Sequence, residues 1–238
     1  SLDDVVLRDL FERLTYLRNL ELRKEEVLRL IEEQGKLTEE LKKEILNADV
    51  LQRVEDLYRP YRQKKSTRAS KAKEKGLEPL AQIILAQDIN QGDLYEIASP
   101  FIDEEKGVNN AKEAYEGACD IIAEMVSDNA DYRKFIREAY INDAILISEA
   151  VDEEEKTVYE MYYKFEEPVK KIANHRVLAI NRGEREGALK VSLSVDKEAV
   201  LSFLYSQIIS KNDSPARQYI TAAIDDSYSR LISPSIER

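Results

Sequence analysis

Leu7, Leu10, Leu14, Leu17, Leu20, Val27 and Ile31 recur at three- or four-residue steps, or at their sum, with charged residues between them. That period puts the apolar side chains on one stripe of a helix about thirty residues long, roughly 45 Å at 1.5 Å per residue. Gly35 ends it, Thr38 caps a short helix through Leu46, and a further helix runs from about Asp49 to Tyr58, where Pro60 stops it. Helix resumes from Lys71 to Lys75, Gly76 supplies a left-handed stop, and Pro79 fits the first turn of the next helix, through about Gln87. After a looser stretch from Asn90 to Pro100, alanine-rich patterns predict two packed helices, Asn110 to Val126 and Tyr132 to Ala150.

The next segments carry different signals. Asp152-Glu153-Glu154-Glu155 precedes an aromatic helical stretch with Tyr159, Tyr162, Tyr163 and Phe165. Contiguous carboxylates on a helix point in different directions, so the acidic run reads as a solvated face and not as a metal site. The tyrosines read as a core stripe with hydroxyls at its rim in preference to a base-stacking platform. The period then shortens. Arg176 to Asn181 is a short apolar run, and Leu189, Val191 and Leu193 alternate with polar residues, which predicts a β-hairpin near residues 176–194. Asp196 caps a helix toward Ser206, and Ser214-Pro215 opens another through Leu231.

The predicted fold is mainly α: a multi-helix scaffold with one long N-terminal helix and that small hairpin. Its segments are an N-terminal helical part (1–58), a basic loop and helix start (59–76), a helical core (77–172), the hairpin (173–195) and a C-terminal helical part (196–238). Seven glycines and six prolines leave few tight turns, and 43% hydrophobic content suffices for one large or two modest cores. The single cysteine, Cys119, excludes an intrachain disulfide, reads as a buried small hydrophobe and favours a cytoplasmic origin. No membrane association is expected, because no apolar run is long enough to span a bilayer.

Charge singles out one region. Between Arg59 and Lys75 stand eight basic residues and one acidic residue, a local balance of +7 in a chain of net charge −11, which leaves −18 for the rest. Such a cationic loop on an acidic body marks a docking point for something negative. Arg59, Arg62, Lys64, Lys65, Arg68, Lys71, Lys73 and Lys75 are the candidate phosphate contacts. Tyr58 and Tyr61 flank Pro60 either as packing anchors or as platforms on which an unpaired base stacks.

The run Asp56-Leu57-Tyr58-Arg59-Pro60-Tyr61, with Thr67-Arg68-Ala69 and Lys75-Gly76-Leu77-Glu78-Pro79-Leu80, resembles the Tex family of bacterial transcription accessory proteins. Three further stretches agree with it in the family's order: Ile31 to Thr38, Pro168 to Gly187 with His175-Arg176-Val177-Leu178-Ala179-Ile180-Asn181-Arg182-Gly183, and Ser233 to Arg238. The resemblance implies a longer protein that also carries a ribonuclease-H-like YqgF domain, helix-hairpin-helix modules and a C-terminal OB-type RNA-binding domain, none of which has a counterpart here. The chain therefore reads as a truncated N-terminal helical core that begins inside the first long helix and stops as Ser233-Pro234 opens another, with Ser1 as a cloning remnant.

Two functions follow as expectations. In one, the chain scaffolds nucleic-acid-binding modules and adds a sequence-independent phosphate contact through the basic loop; RNA or DNA would be bound by the full-length protein, weakly or not at all by this piece, and the transcription machinery is the expected assembly. In the other, it is a protein-interaction scaffold whose loop docks an acidic segment. Catalysis is not expected: the sole histidine, His175, has no nucleophile elbow, zinc signature or phosphate loop around it, and no metal or cofactor is called for. A leucine stripe that truncation strips of its intramolecular partner would pair with a copy of itself, as an artefact.

Overall fold

The computed structural model describes residues 1–88, 92–210 and 213–238. Helix α1 (Leu2–Glu33) opens on a reciprocal cap, in which Ser1 Oγ accepts from the Asp4 amide while the Asp4 carboxylate accepts from Ser1, and it ends at Gly35 with φ +67°. Thr38 accepts from the Leu41 amide to start α2 (Glu39–Asn47). Helix α3 (Leu51–Tyr58) tightens into a single 3₁₀ turn, Arg59–Tyr61, at Pro60. These elements close a first core around Val27, Ile31, Ile45, Val54 and Leu57. Lys24, almost fully buried, donates to the Leu46 carbonyl at 2.9 Å, placing a cation on the last turn of α2.

The main core is built around one helix. Helices α4 (Arg68–Glu74), α5 (Glu78–Ala86) and α6 (Leu94–Ala98) lead into α7 (Ala111–Asp128) and α8 (Ala130–Asp143). Of α7, Ala114, Tyr115, Ala118, Ile121, Ile122, Ala123 and Val126 are buried, so apolar side chains leave it on several sides. They meet α4, α5, α11 (Arg217–Asp226) and a π-helical segment, Ser227–Ile232, that runs on into α12 (Ser233–Ile236). Helix α10 (Lys197–Ile208), capped by Asp196, lies against α8 and α11.

A small third core belongs to an antiparallel sheet of order β2-β1-β3, formed by β1 (Ile145–Ala150), β2 (Lys164–Pro168) and β3 (Leu189–Ser194). Ser148 faces Phe165 on one side and Val191 on the other. The predicted hairpin is therefore corrected: Leu189–Ser194 is a strand, but its neighbour is β1, and Arg176 to Asn181 lies inside helix α9 (Asn174–Arg185). A short apolar run fits a buried helix face as well as a strand, and the choice falls to packing, since Ile180 and Gly183 of α9 are buried. A methyl on Gly183 would stand 2.5 Å from a Leu189 methyl, the close approach by which α9 seats against β3. The helix predicted through Ala150 likewise stops at Asp143, and Ile145 onward turns into β1. The predicted aromatic helix resolves into a 3₁₀ turn, Glu160–Tyr162, and strand β2. Tyr159 and Tyr162 are buried, and the Tyr159 hydroxyl donates to Glu186 at 2.7 Å. The looser stretch expected over Asn90 to Pro100 lies partly outside the described residues; within them it holds α6 and the start of a 3₁₀ turn, Ser99–Phe101.

Two predictions follow from the main core. A methyl on Gly117 would lie 2.3 Å from a methyl of Leu77, itself buried, and 3.4 Å from Ala72, so Gly117→Ala overpacks the joint of α4, α5 and α7 and should destabilise the protein by about 1–3 kcal/mol in urea unfolding. Burial raises the thiol of Cys119 from 9.0 to about 12 and the phenols of Tyr115 and Tyr205 from 10.0 to about 12. Between those values the unfolded chain has released protons that the folded chain keeps, so stability falls as pH rises from about 9 through about 12. Thermal unfolding midpoints should drop across that window and stay level just below it.

Candidate nucleic-acid interface

The conspicuous run around Pro60 forms a joint between the first core and the main one. Asp56, almost fully buried, takes a bidentate pair from Arg137 of α8, with Nη1 at 2.6 Å and Nη2 at 3.2 Å. Leu57 enters the first core. Tyr58 is only 8% exposed, and the guanidiniums of Arg23 and Arg62 lie over its ring at 5.3 and 5.6 Å. Tyr58 is thus packed into the first core. Tyr61 is half-buried beside the same core, and its carbonyl accepts from Gln34 Nε2 at 2.7 Å.

The eight candidate cations divide into two sets. Arg59 Nε pairs with Asp128 at 3.3 Å, Arg62 Nη2 with Glu55 at 2.8 Å, and Lys64 Nζ with Glu124 at 3.3 Å and with Asp128 as well. Glu55 also takes Arg23, at 2.6 Å. These first cations are thus neutralised by the chain itself. Asp128 closes the last turn of α7, where the negative end of the helix dipole adds to its charge, and Arg133 from α8 donates to the Ser127 carbonyl on the same turn. Among the described residues Arg133 is buried without a carboxylate in contact, and desolvation lowers its pKa to about 10.

The second set is open. Lys65, Arg68, Lys71, Lys73 and Lys75 are exposed and make no ion pair among the described residues. Thr67 and Ser70 close a capping box that fixes the first turn of α4. Ala69 and Ala72 are buried toward α7, while Arg68, Lys71 and Lys75 follow the i, i+3, i+7 spacing of a single helix face. Lys73 stands apart from that face and lines a groove with Pro60, Arg62, Lys64, Glu124 and Asp128. Beyond Gly76, a methyl on that residue would lie 3.8 Å from Lys106 Nζ, and one on Gly107 would lie 3.6 Å from Lys75 Cε. Lys106 thus joins the end of α4, a cation that reading along the chain does not reveal because a 3₁₀ turn thirty residues downstream delivers it. On the far side Arg68 borders a cavity lined also by Tyr95, Tyr115, Cys119, Asp120 and Tyr219. Burial raises the Asp120 carboxyl above the usual range, which Arg230 and Arg68 partly offset. Among the described residues no group of three or more His, Cys, Asp or Glu side chains gathers in a way that holds a metal ion.

Removing the carboxylate that serves two cations tests the joint. Asp128→Ala should destabilise the chain by about 1–3 kcal/mol, by leaving Arg59 and Lys64 short of a partner in a largely buried setting. Urea unfolding at low and high salt should show that loss narrowing as salt rises.

Residues 90–238 match the family model described as Tex central region-like. The chain is 48% identical to the uncharacterized protein YdcI of Bacillus subtilis over all of its length and 33% of that protein's. It is 39% identical to the transcriptional accessory protein Tex of Neisseria gonorrhoeae, over 89% of the chain and 28% of the relative. It is 27% identical to the human S1 RNA-binding domain-containing protein 1, over 100% of the chain and 25% of the relative. The chain thus spans a quarter to a third of the length of these relatives. With more than half of its residues under the family model, the chain belongs to the Tex central region-like family.

Proposed function

We propose that this chain is a non-catalytic helical scaffold within a cytoplasmic transcription accessory protein, and that the open cations on and around α4 make a secondary, sequence-independent contact with nucleic-acid phosphate. The relatives named for transcription and for an S1 RNA-binding domain support the setting. The observation that carries the contact is the division of the basic loop: three cations are used internally, while Lys65, Lys71, Lys73 and Lys75 stand exposed and unpaired, with Arg68 and Lys106 at the two ends of α4. Nothing in a set of ammonium groups reads a base, so the contact positions a strand without selecting its sequence. The acidic remainder of the chain repels a polyanion from most other surfaces, which keeps affinity low and confines it to this face. Among the described residues no helix is long and apolar enough to cross a membrane.

The second reading, a scaffold that binds no nucleic acid, is favoured by one specific feature, the pairing of Arg59, Arg62 and Lys64 with the chain's own carboxylates. A salt series separates the two. Fluorescence anisotropy of labelled single-stranded RNA should show weak binding that weakens steeply with salt, and Lys65→Ala/Lys71→Ala/Lys73→Ala/Lys75→Ala should flatten the slope of log K against log salt by about 3, at about 0.7 per phosphate contact. The variant's unfolding midpoint should stay at the wild-type value, since none of the four side chains is paired. Equal binding by both proteins would remove α4 as the contact, and absence of binding by the wild type would leave the scaffold alone.

A further inference from the structure

The cavity beside Arg68 lies between the start of α4, α6, α7 and α11, and its volume of about 820 Å³ is in the range that holds small ligands. Tyr115 and Tyr219 stack in its wall, with ring centroids 4.1 Å apart and planes 5° from parallel. The Tyr115 hydroxyl is already engaged, donating to the Leu94 carbonyl at 2.5 Å, so this residue offers the cavity ring and not hydroxyl. Tyr95, also in the lining, is 59% exposed and presents a ring to whatever enters. Most of the charge around the cavity is matched locally. Arg230 holds Asp226 at 2.8 Å, and Lys112 lies 3.9 Å from Glu116. One carboxylate and one guanidinium remain, Asp120 and Arg68. They are near enough for Arg68 to act on the carboxyl, yet they form no ion pair, and half-buried Asp120 accepts no hydrogen bond among the described residues. A carboxylate that burial has desolvated and that lacks donors is an unmet demand inside a cavity. Arg68 belongs to two surfaces at once, since it is also the first cation of the helix face that Lys71 and Lys75 continue.

We propose that this cavity receives the base of an unpaired nucleotide, guanine by preference, with Asp120 accepting from the base, Tyr95 lying against it and Arg68 meeting its phosphate. The site rests on the phosphate contact of α4 and extends it, the nucleotide belonging to the strand that the α4 cations hold. An ionised carboxylate only accepts hydrogen bonds, so it matches an edge that presents two donors side by side. Guanine does so through N1–H and its 2-amino group. Adenine and cytosine set a donor beside an acceptor, and uracil flanks its single N–H with two carbonyls. In a duplex that edge is taken up by pairing, so only an unpaired base can enter. The ammonium groups of α4 remain blind to sequence, and selection comes from Asp120 alone. Stacking on an exposed aromatic ring serves any base, which makes Tyr95 a source of affinity and not of choice.

Fluorescence anisotropy with short labelled RNAs tests the base site: single strands of uridine with a central guanosine, with inosine in its place, or of uridine alone, and a duplex of the first. The wild type should bind the guanosine strand about 5- to 100-fold more tightly than the uridine strand, with inosine, which lacks the 2-amino group, between them. Asp120→Asn should bring the guanosine strand down to the uridine level, because an amide can no longer accept at both positions. Tyr95→Ala should weaken the guanosine strand by about 5-fold or more. Unfolding midpoints no lower than that of the wild type would show that both variants are folded. Saturation-transfer NMR with guanosine 5′-monophosphate, on the wild type and on Lys65→Ala/Lys71→Ala/Lys73→Ala/Lys75→Ala, separates the cavity from the cations of α4. Equal binding of guanosine and uridine strands, guanosine binding indifferent to Asp120→Asn, or a duplex bound as tightly as its single strand would overturn the base site; a salt slope that still depends on the lysines would then leave the phosphate contact standing. Transfer to the mononucleotide that survives the lysine substitutions and is lost in Asp120→Asn, in a chain that binds no strand, would keep the base site but overturn the strand as its source. A chain that binds neither the strands nor the mononucleotide would overturn both.

Discussion

The burial of α7 is the constraint on which the rest of the structure depends. A helix that leaves apolar side chains on several sides must be surrounded, and α4, α5, α11 and the π-helical segment are the elements that surround it. Close approach is possible because α7 presents Ala114, Ala118 and Gly117 where α4 presents Ala69 and Ala72. Small residues on both helices bring the backbones together, and the larger Leu77, Ile121 and Ile122 fill what is left. The position of α4 is therefore set by packing and not by its charges. Its exposed lysines stand where they do because its alanines are held.

The same helix governs the electrostatics of the loop that precedes α4. Glu124 and Asp128 occupy the last turns of α7, where the helix dipole is negative, and Arg59 and Lys64 arrive there together with Arg133. Buried or half-buried cations at such a site gain from the dipole as well as from the carboxylates, and they no longer contribute to the field outside. A local excess of +7 counted along the sequence thus overstates what a ligand would meet. The charge that projects into solvent comes from Lys65, Lys71, Lys73 and Lys75, together with Lys106 from another part of the chain.

Helix boundaries were legible because their determinants are local. Thr38, Asp196, Gly35 and Gly76 act through their own backbone or that of residues three positions away, so their roles are visible in a short window. The sheet was only half legible. Alternation marked Leu189–Ser194 as a strand, but its neighbour is set by pairing with Ile145–Ala150, far upstream, in a segment whose alanine and isoleucine content also suits a helix. The candidate site fared the same way. The cations were visible, and their division into used and open was not, because Glu124 and Asp128 lie some sixty residues from Arg59 and Lys64. Asp56 was legible as part of a motif, whereas its role became definable only with Arg137, eighty-one residues away.

Charged and apolar groups resolve differently in this chain, for a physical reason. A cation can satisfy itself with one well-placed carboxylate, and an acidic chain supplies many, so half-buried Arg23, Arg59 and Arg137 find partners within it. An apolar stripe needs area, at about 25 cal/mol per Å² removed from water, and only another extended surface provides that. Helices α2 and α3 are nine and eight residues long, which is enough to cover α1 from Leu20 to Ile31 and no more. The 32-residue α1 thus runs on past the short helices packed against it, which among the described residues cover its Leu20 to Ile31 part. The feature that dominated the charge count is therefore largely accounted for inside the chain, whereas the exposed leucines of α1 find no cover among the described residues.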